Sequence, residues 1–178
     1  MSIPTPATDR LEFRVPTIKD AETLHQVFDD DEVMRYIGDG SRWSLDAVES
    51  RLARGAALVD DGKPYFWTVA RRDTGEIIGQ GGIVGIEFAG PEIELGYRLG
   101  RAHWGRGFAS EIAQAAVDTA FAPVDRGGFS LDRLVAVCFP ENTPSRRVLA
   151  KTGFVELGMT DSYYGVECLL HEQLRADA

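Results

Sequence analysis

The stretch Leu99-Gly100-Arg101-Ala102-His103-Trp104-Gly105-Arg106-Gly107-Phe108-Ala109 decides how the chain is read. On its N-terminal side, Glu92-Ile93-Glu94-Leu95-Gly96-Tyr97-Arg98-Leu99 alternates as a strand, with Glu92, Glu94, Gly96 and Arg98 on one face and Ile93, Leu95, Tyr97 and Leu99 on the other. On its C-terminal side, Ala109, Ile112, Ala113, Ala116, Val117, Ala120 and Phe121 recur at helical spacing until Pro123 ends the run. A strand therefore passes through glycines into a helix whose first turn has no Ser, Thr, Asp or Asn cap. Such an end leaves backbone N–H groups without acceptors, and a phosphate is well suited to fill them. Gly105 and Gly107 would let it approach the backbone closely. On local chemistry alone, a hydrated flexible turn fits equally well. Two rival phosphate motifs are excluded. Gly79-Gln80-Gly81-Gly82-Ile83-Val84-Gly85 fails the dinucleotide pattern at Val84, and Gly105-Arg106-Gly107 lacks the Lys and hydroxyl residue of a P-loop.

Outward from this segment the pattern is α+β. Leu11–Val15 alternates as a strand, and Thr17 caps a helix carrying Ile18, Ala21, Leu24, Val27 and Phe28. Ser44 or Asp46 opens a second helix with Leu45, Val48, Leu52 and Ala56 as its stripe. Residues 65–70 and 76–84 read as a hairpin across Asp73-Thr74-Gly75. Arg133–Phe139 is a strand, Pro144 suits the first turn of a helix over 145–151, and Gly153 suits its left-handed C-terminal residue. Residues 154–157 and 166–171 supply two last strands. With no repeat or linker in view, we expect one domain over residues 9–174, with tails at 1–8 and 175–178.

Composition excludes several classes. The 178 residues carry 19 basic and 28 acidic side chains, a net charge of −9, which disfavours nucleic-acid and anionic-membrane partners. The acidity is uneven: residues 1–94 hold 10 basic against 18 acidic side chains, and residues 95–178 hold 9 against 10. An anionic ligand is thus expected on the second half and a cationic one on the first. Cys138 and Cys168 lack ligand spacing, His25, His103 and His171 are scattered, and no metal site is expected. The absence of a signal-like start or a long apolar run makes a cytoplasmic location the expectation.

The strand 94–99, the turn Trp104-Gly105-Arg106-Gly107-Phe108-Ala109 and the run Asn142-x-x-Ser145-x-Arg147-Val148…Lys151-x-Gly153-Phe154 together resemble the GNAT superfamily of N-acetyltransferases. The similarity is greatest to the branch holding the Rim-type ribosomal-protein-alanine acetyltransferases, which Asp9-Arg10-Leu11…Arg14…Asp20-Ala21 and Trp67…Thr74-Gly75-Glu76-Ile77-Ile78-Gly79 also match. The likeness spans about residues 9–171, and order plus spacing make it far more specific than any one motif.

The resemblance implies a mixed, mostly antiparallel sheet flanked by helices, in which the strand at 92–99 splays from that at 133–139 to admit acetyl-coenzyme A. It implies pairing of the pantetheine arm with the backbone of Tyr97 to Leu99, and pyrophosphate binding around Trp104, Gly105, Arg106, Gly107, Phe108 and Ala109. Asn142 would bond the cofactor near its reactive end. Glu94 matches the general base, with Glu92 two residues earlier as a substitute or as a group that binds a cationic substrate, and Ser145 matches the acid. The tyrosine that many members carry as acid is Ala150 here, leaving Tyr163 and Tyr164 as stand-ins or as packing at a strand edge. His171 reads as structural. Trp67, Tyr36 and Trp43 are aromatic candidates for the acceptor side, Trp67 more naturally for the core. Arg146 and Arg147 read as surface arginines, and Asp29–Glu32 as a solvated helix end that could also attract an amine. The acceptor implied is a primary amine, a protein N-terminus first and a small cationic amine or antibiotic second. A homodimer is common in the family, and a non-catalytic acyl-coenzyme A-binding module is the reading from another class.

Overall fold

The computed structural model describes residues 5–88 and 90–176; residues 1–4 of the expected N-terminal tail and 177–178 of the C-terminal one lie outside them. Among the described residues, the alternating segments form seven strands: β1 (Leu11–Arg14), β2 (Trp67–Arg71), β3 (Ile77–Gly85), β4 (Ile93–Leu99), β5 (Arg133–Cys138), β6 (Val155–Thr160) and β7 (Cys168–Leu174). They make one sheet in the order β1-β2-β3-β4-β5-β7-β6. Every neighbouring pair is antiparallel except β4 and β5, which run parallel. This is the mixed, mostly antiparallel α+β sheet that the resemblance implied.

The β4–β5 junction positions everything that follows. The two strands share a single register pair, Glu94 with Val135, and separate beyond it toward their C-terminal ends. Gly100 N–H donates to the Ile78 carbonyl on the β3 side at 2.9 Å. Because backbone groups alternate along a strand, those of Tyr97 and Leu99 point the other way, into the wedge facing β5.

Among the described residues, five α-helices accompany the sheet: α1 (Ala21–Phe28), α2 (Asp31–Met34), α3 (Leu45–Asp60), α4 (Phe108–Phe121) and α5 (Thr143–Lys151). Helix α4 lies on β3 and β4, where Ile112, Ala113 and Ala116 pack with Leu95, Leu99 and Ile83 in the largest core cluster. Helices α1, α2 and α3 form a second cluster around Leu24, Phe28, Met34, Val48 and Leu52.

The face of β4 that carries Glu94, Gly96 and Arg98 is covered as well. Glu94 is only 8% exposed, Gly96 lies under the Phe66 ring, and the Arg98 guanidinium stacks on Phe28, Trp43 and Phe66. Alternation reports two faces, but it cannot report that both are packed. Two stripe positions also differ from expectation. Ile18 is 58% exposed, because Ile18–Asp20 is a 3₁₀ turn and α1 begins only at Ala21. Ala56 is exposed and Gly55 is buried in its place, since a Cβ there would meet the Tyr65 ring at 2.2 Å.

Asp20 ties this end of the molecule together. Buried to 2% exposure, it takes two bonds from Arg14 at 2.6 and 2.8 Å, one from Thr17 N–H at 3.0 Å and one from the Thr68 hydroxyl at 3.0 Å. Burial acts to raise its pKa, yet the bonds from Arg14, Thr17 and Thr68 outweigh it and hold the carboxyl below its ordinary value. A depressed folded pKa means stability that is present above the ordinary carboxylate range and lost as pH falls through the folded value. Asp20→Asn is expected to cost about 2–3 kcal/mol at neutral pH and to flatten the acid limb of stability, as read by urea denaturation across pH.

Candidate active site

Glu94 sits at the root of the wedge, on the strand pair where β4 and β5 last touch. Its carboxyl is pushed up to about 7, mainly by burial, with the Glu87 charge adding to the rise and the Tyr164 hydroxyl and Arg98 charge opposing it. The Tyr164 hydroxyl donates to Glu94 Oε2 and accepts from Glu87 N–H at 3.2 Å, while Tyr164 N–H donates to Glu87 Oε1 at 2.5 Å. Both Glu87 and Tyr164 have left-handed backbones, with φ of 54° and 58°. Strained residues that brace each other at a cleft are a mark of functional sites. Tyr164 is 40% exposed, so it links the buried carboxylate to the surface.

Glu92 is differently placed. It bonds Arg133 and Tyr163, and the Tyr163 hydroxyl bond, followed by Arg133, holds it below the usual carboxylate range. A carboxylate in an ion pair and of lowered pKa is a poor proton acceptor, so Glu92 is less suited than Glu94 to take up a proton.

On the α4 side of the wedge, Tyr97 Oη and Ser145 Oγ share a 2.9 Å hydrogen bond. Burial, the leading cause, raises the Tyr97 pKa well above the phenol range, so its hydroxyl stays neutral. Ser145 lies in the first turn of α5, where its N–H donates to Asn142 Oδ1 at 3.2 Å. Asn142 is thus the N-cap of α5, an arrangement that fixes both residues beside the wedge. It commits the Asn142 carbonyl oxygen to the helix.

The turn after β4 has the uncapped form expected. Gly107 is the N-cap of α4 with φ 80° and no side-chain cap bond, and Gly105 has φ 70°. Gly105, Arg106 and Gly107 are exposed, whereas the Phe108 side chain is in the core and only its backbone is at the turn. Trp104 donates its indole N–H to the Leu99 carbonyl at 2.8 Å, so of the two Leu99 backbone groups on the wedge side the carbonyl already has a partner. The split strands, the N–H groups of Tyr97 and Leu99 on the β5 side and the uncapped start of α4 thus follow one another along the chain from Glu94 to Gly107.

Arg10 braces this turn, a role not visible in the sequence. It donates to the Arg106 carbonyl at 2.9 Å and to Glu111 Oε2 at 2.7 Å, and its guanidinium stacks 4.7 Å from the Phe108 ring centroid. The Asp9-Arg10 pair at the start of the matched region was the one available signal. The other candidates are dispersed. Trp67 is core, edge-on to Phe13, and Tyr36 lies 6.0 Å from Phe139 just past β5. Trp43 is stacked between Arg51 and Arg98. Arg146 pairs with Glu156 at 3.0 Å, and Asp29 and Asp31 pair with Arg42. His171 is buried, 3.4 Å from Glu156, as befits a structural residue.

Residues 10–155 match the acetyltransferase (GNAT) domain family. The chain belongs to the GNAT acetyltransferases. This acetyltransferase is 36% identical over 156 residues to the uncharacterized N-acetyltransferase YoaA of Bacillus subtilis, covering 88% of this chain and 85% of that protein. Its fold matches an acetyltransferase from Agrobacterium tumefaciens with TM-score 0.76 at 28% identity, covering 98% of this chain and 96% of that one. It also matches the ribosomal-protein-S5-alanine acetyltransferase of Vibrio fischeri with TM-score 0.78 at 21% identity, over 97% of each chain. No helix among the described residues of the acetyltransferase is long and apolar enough to cross a membrane.

Proposed function

We propose that this acetyltransferase transfers the acetyl group of acetyl-coenzyme A to a primary amine by direct attack, with a protein N-terminal α-amine as the first acceptor to test. The observation that carries the reading is the buried Glu94 carboxyl at the root of the β4–β5 wedge, raised to about 7 and joined to a surface cleft through Tyr164. Acetyl-coenzyme A supplies a thioester carbonyl that the amine attacks and a thiolate that leaves. The backbone N–H groups of Tyr97 and Leu99 hold the pantetheine arm as an added strand, and those of Gly105 to Ala109 hold the pyrophosphate. The Asn142 side-chain amide, with its oxygen committed to the cap, presents N–H toward the reactive end.

Glu94 removes the ammonium proton of the acceptor, and the Tyr164 hydroxyl lies on that proton's route from the cleft. As the new C–N bond forms and the C–S bond breaks, Ser145 donates its hydroxyl proton to the departing sulfur and recovers one from the nitrogen, which sheds its second proton to become the amide, while the Tyr97 hydroxyl holds the Ser145 Oγ in place. A pKa near 7 suits Glu94 to the task, because a base works best when its pKa matches ambient pH.

The test pairs coenzyme A binding by calorimetry with thiol release over a panel of N-terminal peptides and small amines. Binding together with release for at least one amine is the expected result. Tight binding with no release for any amine would assign the chain to the non-catalytic class.

A further inference from the structure

Arg10 stands just before β1, far in sequence from the wedge, yet its side chain ends at the start of α4. Nη1 donates to the Arg106 carbonyl at 2.9 Å, Nε donates to Glu111 Oε2 at 2.7 Å, and Nη2 lies 2.6 Å from that same oxygen. The backbone takes part as well. Arg10 N–H donates to Glu111 Oε1 at 3.2 Å, and the Arg10 carbonyl accepts from Arg72 N–H at 3.0 Å, one residue past β2. The Phe108 ring, buried in the core, backs the guanidinium. Arg10 thus holds residues on both sides of Gly107 and ties them to the β1–β2 end of the sheet.

A trans peptide points its carbonyl and its N–H in opposite directions, so a bond to the Arg106 carbonyl fixes the Gly107 N–H on the side away from Arg10. Such a fastening matters here, because Gly105 and Gly107 flank Arg106 in left-handed conformations and glycine resists backbone rotation least. The second effect is one of charge. Glu111 lies in the first turn of α4. Burial acts to raise its pKa, but the bonds from Thr8 and Arg10 outweigh it and hold the carboxyl below its ordinary value, so it is ionised at neutral pH. An uncancelled carboxylate there would oppose an anion at the uncapped helix end, and the Arg10 guanidinium cancels it.

We propose that Arg10 is a positioning residue for the cofactor: it aims the Gly107 N–H at the pyrophosphate of acetyl-coenzyme A and cancels the Glu111 charge beside it. All three guanidinium nitrogens are engaged with Arg106 and Glu111, so Arg10 acts through the turn. This rests on the acetyl-coenzyme A reading above and adds to it a residue from outside the turn that the pyrophosphate would meet.

Calorimetry of coenzyme A, and of pantetheine in competition with it, provides the test, because pantetheine lacks the pyrophosphate. The parent is expected to bind coenzyme A far more tightly. Arg10→Met keeps an unbranched chain against Phe108 and, with 50% of the Arg10 side chain exposed, opens no buried cavity. It should weaken coenzyme A by about tenfold, the equivalent of one charge-assisted contact, and leave pantetheine unaltered. Adding Glu111→Gln to Arg10→Met should recover part of that loss, since no carboxylate is then left to oppose the phosphates. Arg10→Lys keeps a charge but not the planar fork, and should lose less than Arg10→Met. The same comparison in the Lys variant decides the matter if the Met variant does not fold. Equal weakening of both ligands means a merely structural role and overturns the proposal, as does an unaltered preference for coenzyme A in both variants. A parent that binds both ligands equally rejects the pyrophosphate assignment and the part of Arg10 with it. A parent that binds neither rejects the cofactor reading as a whole.

Discussion

Glu94→Gln is expected to lower kcat by about 10²–10⁴-fold, the usual contribution of a positioned base, while coenzyme A affinity is retained. In the parent protein the carboxyl titrates near 7, so kcat/KM should rise with pH through that value and level off above it. The variant should lose this limb, and an unaltered pH profile would remove Glu94 from the base role. Tyr164→Phe provides a second reading. The Tyr164 hydroxyl bond lowers the Glu94 pKa, so its removal should move the acid limb to higher pH, which a purely structural tyrosine would not do. Stability carries the same signature with the opposite benefit. The folded carboxyl binds its proton more tightly than the ordinary value of 4.5, so burying it costs nothing in acid and progressively more as pH rises through about 7. Glu94→Gln should therefore match the parent at pH 4 and exceed it at pH 8 by up to about 3 kcal/mol, measured by urea denaturation.

Gly107→Val is expected to abolish coenzyme A binding in calorimetry. Gly107 caps α4 at φ 80°, a region that a β-branched residue adopts only under strain, and an added Cβ would already stand 3.5 Å from Arg10 Nη2. The backbone strain alone should cost about 1–2 kcal/mol of stability. Gly107→Asn separates the two effects, because Asn tolerates the left-handed conformation yet places a side chain where the pyrophosphate would lie. That variant should melt near the parent temperature and still bind coenzyme A poorly. Normal affinity in either variant would sink the assignment of this turn to the pyrophosphate.

Local signals carried much of this molecule. The period-two run from Ile93 to Leu99 became β4, the helical run ending before Pro123 became α4, and Ser44 caps α3 through a bond to Ala47 N–H. These features are set by neighbours in sequence, so reading along the chain finds them. Positions decided by distant residues were not legible. Alternation made Glu94 and Arg98 a polar face, but Phe28, Trp43 and Phe66 pack over Arg98, Tyr164 reaches Glu94, and burial gives Glu94 its raised pKa. Ala56 looked like core, yet Gly55 is the buried position because Tyr65, ten residues away, needs the space.

The chain by itself determined the order of elements and the two-glycine turn at 105–107, since caps, periods and motif spacing are local properties, and Glu94 and Ser145 became candidates only through the resemblance to the family. Only the tertiary structure decided which polar groups act together. The single register pair at Glu94 opens the wedge, Tyr164 reaches Glu94 from seventy residues downstream, and Arg10 closes over a turn 96 residues away. The net charge of −9 is a sum over the chain, whereas a ligand meets the field of the side chains that line its cleft. Arg51, Arg54, Glu87 and Tyr164 line one cleft, whereas Asp29 and Asp31 of the acidic first half pair with Arg42.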